Sequence, residues 1–298
     1  MRPRIRRPGP AMRDRTTLRL GGTTRAEAVL RADADLDMLP PLLHTEGASP
    51  LALGAGSNLL CADQELPLLL LTVDNQRAPE ARPGDDHVTV RVGGGVKLPV
   101  LLGWCARNGL SGLENLTGIP GTVGGAVAMN AGSYGSNMAD LVRRVRVWTP
   151  EAGLEWRNAD QCRFDYRFFA PEPLDGDAPT FFLIWEAELA LVPSLPDNVR
   201  AAMRYTMTRK KAAQPVTAWS AGCVFKNPEN QSAGILLDKA GFRGLQQGGM
   251  AFSSLHANFL VNLGQGTAEQ ALELLEKARY AVYERFGVTL ETEVRVIA

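Results

Sequence analysis

Neither of the two common nucleotide-binding loops occurs in this sequence. It contains no G-x-G-x-x-G and no G-x-x-x-x-G-K-[ST], so a Rossmann site and a P-loop are both disfavoured. There is no C-x-x-C: Cys61, Cys105, Cys162 and Cys223 are scattered. Four thiols allow two disulfides, but their spacing in a chain of 298 residues reads as reduced thiols in a cytoplasmic protein. An excess of charge is also missing, with 32 basic and 32 acidic residues, which argues against a general binder of nucleic acid or membrane surfaces. No apolar run is long enough to span a bilayer. The opening MRPRIRRPGP lacks the apolar centre of a secretory signal. It reads as a disordered arm or an extension from an upstream start.

What the sequence does have is glycine, concentrated at 118–135 in GIPGTVGGAVAMNAGSYG. Six of these eighteen residues are glycine and none is Lys, Arg, Asp or Glu. Such a loop takes positive φ and lets another group lie against bare backbone. Its N–H groups then form a cradle for an anion, typically phosphate. A tight structural turn is the plainer reading. Pro120, Asn130 and Tyr134 among so many glycines favour a ligand cradle. A second such place is LALGAGSNLL at 51–60, where an apolar run opens into Gly54, Ala55, Gly56, Ser57 and Asn58 before Leu59. Two loops of this kind supply the two walls that a dinucleotide pyrophosphate needs.

Periodicity places elements around these loops. Residues 16–30 read as a strand and turn, with Leu18 and Leu20 alternating before Gly21 and Gly22. Residues 66–73 and 87–92 read as strands separated by a polar stretch. Residues 97–108 read as a helix with Pro99 in its first turn and Gly109 as a stop. Its face Leu98, Leu101, Leu102 and Cys105 makes that cysteine core packing. Residues 141–150 read as a strand with Arg143, Arg144 and Arg146 towards solvent. Residues 181–191 read as another, with Glu186 and Glu188 on one face. The prolines at 193–196 suggest a boundary, and 197–212 a helix capped by Asp197. Residues 232–241 suggest a short helix. Thr267 and Gln270 form a capping box for the clearest helix, striped by Ala271, Leu275, Ala278, Val282 and Phe286 and stopped by Gly287. A last strand over 288–298 puts Val288, Leu290, Val294 and Val296 on one face and Glu291, Glu293 and Arg295 on the other.

These motifs together resemble the UDP-N-acetylenolpyruvoylglucosamine reductase family. The resemblance runs through T-x-R-x-G-G at 17–22, L-G-x-G-S-N-L-L at 53–60, GLSGLENLTGIPGTVGGAVAMNAGSYG at 109–135, S-A-G-x-x-F-K-N-P at 220–228 and E-V-R at 293–295. It implies an α+β fold of the vanillyl-alcohol-oxidase (PCMH-like) type. FAD would be held by two subdomains, 14–72 and 73–200, after a disordered arm at 1–13. A substrate-binding domain at 205–292 and a closing strand at 293–298 would follow. Only fifty-six positions separate Arg167 from Cys223, which resembles the family's second type, without an inserted substrate-covering loop.

The resemblance also implies roles. FAD would lie on Arg19, on 54–59, on Gly118, Ile119, Pro120, Gly121 and Thr122, and on Gly124, Gly125, Ala126, Asn130 and Gly132. NADPH would be the reductant and UDP-N-acetylglucosamine enolpyruvate the substrate, in peptidoglycan precursor synthesis. No metal, nucleic acid, membrane or obligate protein partner is expected. Catalysis would fall to Arg167, Cys223 and Glu293, and substrate contact to Tyr166, Lys211, Asn227, His256 and Arg295. Read alone, Arg19 is equally a surface cation, and Cys223 a small thiol in a turn. His256 alone is a structural histidine, and the Glu293 and Arg295 face a solvated edge. Three departures stand out: Phe169 and Cys223 occupy positions where the family has Ser, and Thr292 one where it has Pro. A thiol with its reference pKa of about 8.5 carries a proton to donate at neutral pH, and Lys226 nearby is a cation that would lower that pKa. Another flavin oxidoreductase of the same FAD-domain type, or a non-catalytic nucleotide-binding relative, are the competing readings.

Overall fold

A computed structural model gives the fold for residues 3–45, 47–172 and 181–298. Met1 and Arg2 of the arm, and the end of the 161–173 segment, lie outside the described residues. Helices and strands are mixed, the α+β class expected. The chain forms two compact units: Met1–Arg7, Ala26–Gly54 and Leu68–Thr208 make the first; Pro8–Arg25, Ala55–Pro67 and Arg209–Ala298 make the second. It passes from the first to the second within the helix Pro196–Ala213. Asp197 sits inside that helix's first turn, paired with Arg200 at 2.8 Å, and is not its cap.

The first unit is built on two sheets. In one, the strands stand in the order Arg4–Arg6, Thr24–Leu30, Leu66–Val73 and Ser49–Leu53. Arg4–Arg6 runs antiparallel to its neighbour, with Ile5 opposite Ala28. The expectation of a disordered arm is thus corrected: an open sheet edge offers ladder partners that charge and proline content do not reveal. The larger sheet runs Gly153–Asn158, Val142–Thr149, Leu183–Pro193, Val88–Gly93 and Glu80–Pro83, all neighbours antiparallel. Glu80–Pro83 lies in the stretch read as a polar connection. On one face Val90, Val92, Val145, Val147 and Leu189 share a core with the helix Leu98–Asn108 and with Val123 and Val127. Pro99 stands in that helix's first turn and Gly109 ends it in left-handed conformation.

The other face of this sheet carries charge. Arg144 and Arg146 do not simply face solvent, as 141–150 suggested. Arg144 Nε donates to Glu188 at 2.5 Å and Arg146 Nη1 to Glu186 at 3.1 Å, while Arg91 Nε reaches Glu186 at 2.5 Å. Both carboxylates are buried because their strand is central, and buried carboxylates need cations and hydrogen bonds. Of the three, Arg143 is the exposed one.

The second unit holds an antiparallel sheet in the order Trp219–Cys223, Phe259–Asn262, Met250–Phe252 and Gln246–Gln247. Against it lies the helix Ala268–Phe286, with the Thr267–Gln270 capping box and left-handed Gly287 as predicted. Its buried Ala271, Leu275, Ala278 and Val282 share a core with Phe252, Leu260, Leu237 and also Leu18 and Leu20. No strand forms around Leu18 and Leu20 before Gly21 and Gly22; the strand of this stretch follows the turn, at Thr24–Leu30. Leu18 and Leu20 alternate because both side chains enter this core while Arg19 between them turns through φ +57°. The final strand is also shorter than predicted. Only Arg295–Ile297 is strand, parallel to Leu59–Cys61. Before it the backbone changes partners residue by residue: Lys226 N–H donates to Glu291 O at 2.8 Å, Glu293 N–H to Val224 O at 2.8 Å, and Arg295 N–H to Asn58 O at 3.0 Å. Leu290 and Val294 are buried but Val296 is not, so the period-two face is kept only in part.

Candidate active site

In the first unit the two glycine stretches meet. The strand Ser49–Leu53 ends at Gly54, where an added Cβ would stand 2.5 Å from Thr122 Oγ1. Thr122 caps the short helix Val123–Ala128 by accepting from Gly125 N–H at 3.2 Å. Gly124 serves packing: its N–H donates to Gly94 O at 2.8 Å, and a Cβ there would meet the Gly94 and Ile184 carbonyl oxygens at 3.1 Å. The stretch read as one loop is thus a loop, a helix and the hairpin of Gly132–Ser133 with Ser136–Asn137.

Asn130, expected on FAD, spends both ends of its amide on the protein. Nδ2–H donates to Asp165 O at 3.0 Å and Oδ1 accepts from Ala139 N–H at 2.9 Å. It thereby ties down the residue just before Tyr166 and Arg167. Arg167 is left-handed at φ +56°, its guanidinium 4.9 Å from the Tyr166 ring and 3.4 Å from Gly132 O. A side chain held at positive φ is a form of strain found at functional sites. Phe169, where the family has Ser, is buried edge-on against Phe164 and Phe182.

In the second unit the structure joins Cys223, Glu293 and the 17–22 motif. Thr17 N–H donates to Gly56 O at 3.2 Å, and its Oγ1 to Ser220 O at 2.6 Å. Arg19 lies on the face of Trp219, 4.0 Å from the ring centre. Asn58 Nδ2–H donates to Glu293 O at 3.1 Å. Cys223 stands at a bulge in its strand, after Gly222 at φ +80°. It is half-buried, whereas burial pushes the thiols of Cys61, Cys105 and Cys162 up to about 12. Lys226, the cation placed near the thiol by sequence, donates to Glu291 at 3.2 Å.

Among the expected substrate residues, Lys211 is exposed. Its neighbour Lys210 is 2 % exposed, and burial pulls its pKa down to about 8. Sequence reasoning passed over Lys210; the helical register that buries Val199, Thr206 and Lys210 was the available signal. Asn227 Oδ1 accepts from Ala233 N–H at 3.1 Å. His256 rests on Gly234, its Nδ1 accepting from Asn258 N–H at 3.2 Å. Burial, then the Arg243 charge, hold its pKa below the usual histidine value. It lines a cavity of about 130 Å³ with Ser232, Asp238, Arg243 and Leu255. Arg295 is exposed on the last strand. Arg167 belongs to the first unit, and Cys223 and Glu293 to the second.

These residues fit a flavin dinucleotide. At Gly54 the Thr122 side chain lies against bare backbone where an added Cβ would intrude, and 118–135 carries no charge to repel phosphate. Thr117 Oγ1, just before Gly118, is buried and, among the described residues, the side-chain polar atom left without a hydrogen-bond partner. Among the described residues no cluster of His, Cys, Asp and Glu could hold a metal ion, and no helix is long and apolar enough to cross a membrane.

Residues 40–156 match the family model of an FAD binding domain. Together, fold, site and match define an FAD-dependent oxidoreductase. Residues 214–297 match the model described as UDP-N-acetylenolpyruvoylglucosamine reductase, C-terminal domain. The chain is 49% identical over 292 residues to the UDP-N-acetylenolpyruvoylglucosamine reductase of Oleidesulfovibrio alaskensis, covering 97% of this chain and 96% of the relative. It is 46% identical to that of Nitratidesulfovibrio vulgaris, covering 97% of each. The crystal structure of UDP-N-acetylenolpyruvylglucosamine reductase (MurB) from Thermus caldophilus aligns with a TM-score of 0.81 at 34% identity, over 99% of this chain and all of the other. The chain belongs to the UDP-N-acetylenolpyruvoylglucosamine reductase family, as its motifs suggested.

Proposed function

We propose that the protein reduces UDP-N-acetylglucosamine enolpyruvate to UDP-N-acetylmuramate with NADPH, in cytoplasmic peptidoglycan precursor synthesis. The observation that carries this reading is the hydrogen bond from Glu293 N–H to Val224 O, which ties the backbone of Glu293 to the residue next to Cys223. FAD, when bound, supplies hydride acceptance from NADPH and hydride donation to the vinyl group. Negative charge then builds beside the substrate carboxylate. Arg167 stabilises it by charge and Glu293 by hydrogen bonding. Cys223 Sγ–H delivers the proton to the carbon, a general-acid contribution of roughly 10²–10⁴-fold. Tyr166, Lys211, Asn227, His256 and Arg295 orient the sugar nucleotide. In this reading 14–72 and 73–200 carry the cofactor and 205–292 the substrate, and Arg19 with the 54–59 and 118–132 residues contacts FAD.

The test is a visible absorption spectrum of the purified protein under anaerobic conditions. Oxidised-flavin bands should bleach with NADPH and return when the enolpyruvyl sugar nucleotide is added. Bands that bleach but stay bleached would point to another substrate, and a protein that takes up no FAD would overturn the cofactor reading.

A further inference from the structure

We infer that Asn258 is a positioning residue for the thiol of Cys223. The inference rests on the proposed proton-donor role only for its kinetic consequence; the placement of the thiol is read directly. The strand Trp219–Cys223 pairs with Phe259–Asn262, but the register slips between Ser220 and Cys223. The ladder is therefore interrupted just before Cys223, which pairs with Phe259 at the strand's end. Beyond the bulge, Val224 and Phe225 are fully buried, so their peptide groups need partners or incur a desolvation penalty.

Asn258 supplies three of the four. Its carbonyl accepts from Val224 N–H at 2.9 Å. Its side-chain Oδ1 accepts from Phe225 N–H at 3.0 Å, and its Nδ2–H donates to Phe225 O at 2.8 Å. The fourth, Val224 O, accepts from Glu293 N–H at 2.8 Å. The amide of Asn258 thus stands in for a strand's peptide unit, pairing with both backbone groups of one residue. Asn258 is 2 % exposed, and its own N–H is fixed by His256 Nδ1 at 3.2 Å. An aspartate keeps the acceptor and loses the donor; an alanine loses both.

The test compares Asn258→Ala and Asn258→Asp with the parent, all loaded with FAD. The first readout is the rate of iodoacetamide alkylation of Cys223 in the native protein, assigned by peptide mass spectrometry. The other three thiols are buried, so this rate reports the environment of Cys223. The Asn258→Ala variant should show an altered rate, and Asn258→Asp an intermediate one. Turnover with the sugar nucleotide should fall, by up to about 100-fold for a displacement near 1 Å, with little change in KM. Bleaching of the flavin by NADPH should proceed as in the parent. Parental alkylation and kcat in a folded Asn258→Ala protein would overturn the inference. So would a uniform loss of every rate in both variants, since that describes a fold contact and not a positioned thiol. If Cys223→Ala turns over normally, the proton-donor reading fails, while the alkylation rates still decide whether Asn258 places the thiol.

Discussion

Glu293 is tied by its backbone to Val224, the residue next to Cys223, through an N–H to O bond of 2.8 Å. The backbone segments that carry Glu293 and Cys223 are therefore hydrogen-bonded to each other within the second unit. In the proposed role Cys223 gives a proton from a fixed position, and a serine hydroxyl there keeps a proton to give. Cys223→Ser is expected to keep substantial turnover. Cys223→Ala should stop turnover of the enolpyruvyl sugar nucleotide yet let NADPH bleach the flavin, as stopped-flow absorbance would show. Normal turnover in the alanine variant would refute the proton-donor role.

Arg167 offers a different separation. It is held at φ +56° beside Gly132 and Tyr166, with Asn130 fixing the chain just before it. Its proposed task is charge stabilisation beside the substrate carboxylate. Arg167→Ala should depress reoxidation of the reduced flavin by substrate, while flavin affinity, measured by fluorescence titration, changes little. Lost flavin binding with normal reoxidation would sink that assignment.

Signals that are local in sequence were legible. Thr267 and Gln270 announce a helix because a capping box closes within one turn, and Pro99 with Gly109 brackets another. The glycine stretches were legible as places of backbone approach, and Gly54 against Thr122 shows the approach itself. What escaped depends on distant partners. Nothing local to 288–298 says that Glu291, Glu293 and Arg295 pair in turn with Lys226, Val224 and Asn58 instead of with one neighbouring strand. The alternation of Arg143, Arg144 and Arg146 looked like a solvated face because the buried acids Glu186 and Glu188 lie forty positions away. Asn130 and Asn258 are single polar residues with no periodicity. Their meaning lies in side-chain bonds to remote backbone, which no motif spacing encodes.

The Glu186 cluster yields a stability prediction. Its buried carboxylate accepts from Arg91 and Arg146, so removing it leaves two guanidinium groups without that acceptor. Glu186→Gln should lower unfolding stability by roughly 1.5–3 kcal/mol, the range for hydrogen bonds to charged groups. The exposed Asp197–Arg200 pair is the comparison, and Arg200→Ala there should cost clearly less. Urea midpoints of both variants check the contrast; equal losses would mean the buried cluster is no stronger than a surface pair.

Lys210 gives the pH dependence its sign. Burial lowers its pKa from 10.5 to about 8. Between those values the unfolded chain holds the proton and the folded chain does not, so stability rises with pH across that window. Below about 8 both states are charged and the dependence on pH ends. Lys210→Met should flatten this alkaline rise, as denaturant midpoints across pH would show. The same variant bears on the substrate. If the diphosphate is held from this helix by the buried ammonium and not by exposed Lys211, KM should rise in Lys210→Met and stay near the parental value in Lys211→Met. The reverse pattern would return the contact to Lys211 and leave the cost of burying Lys210 as a property of the fold alone.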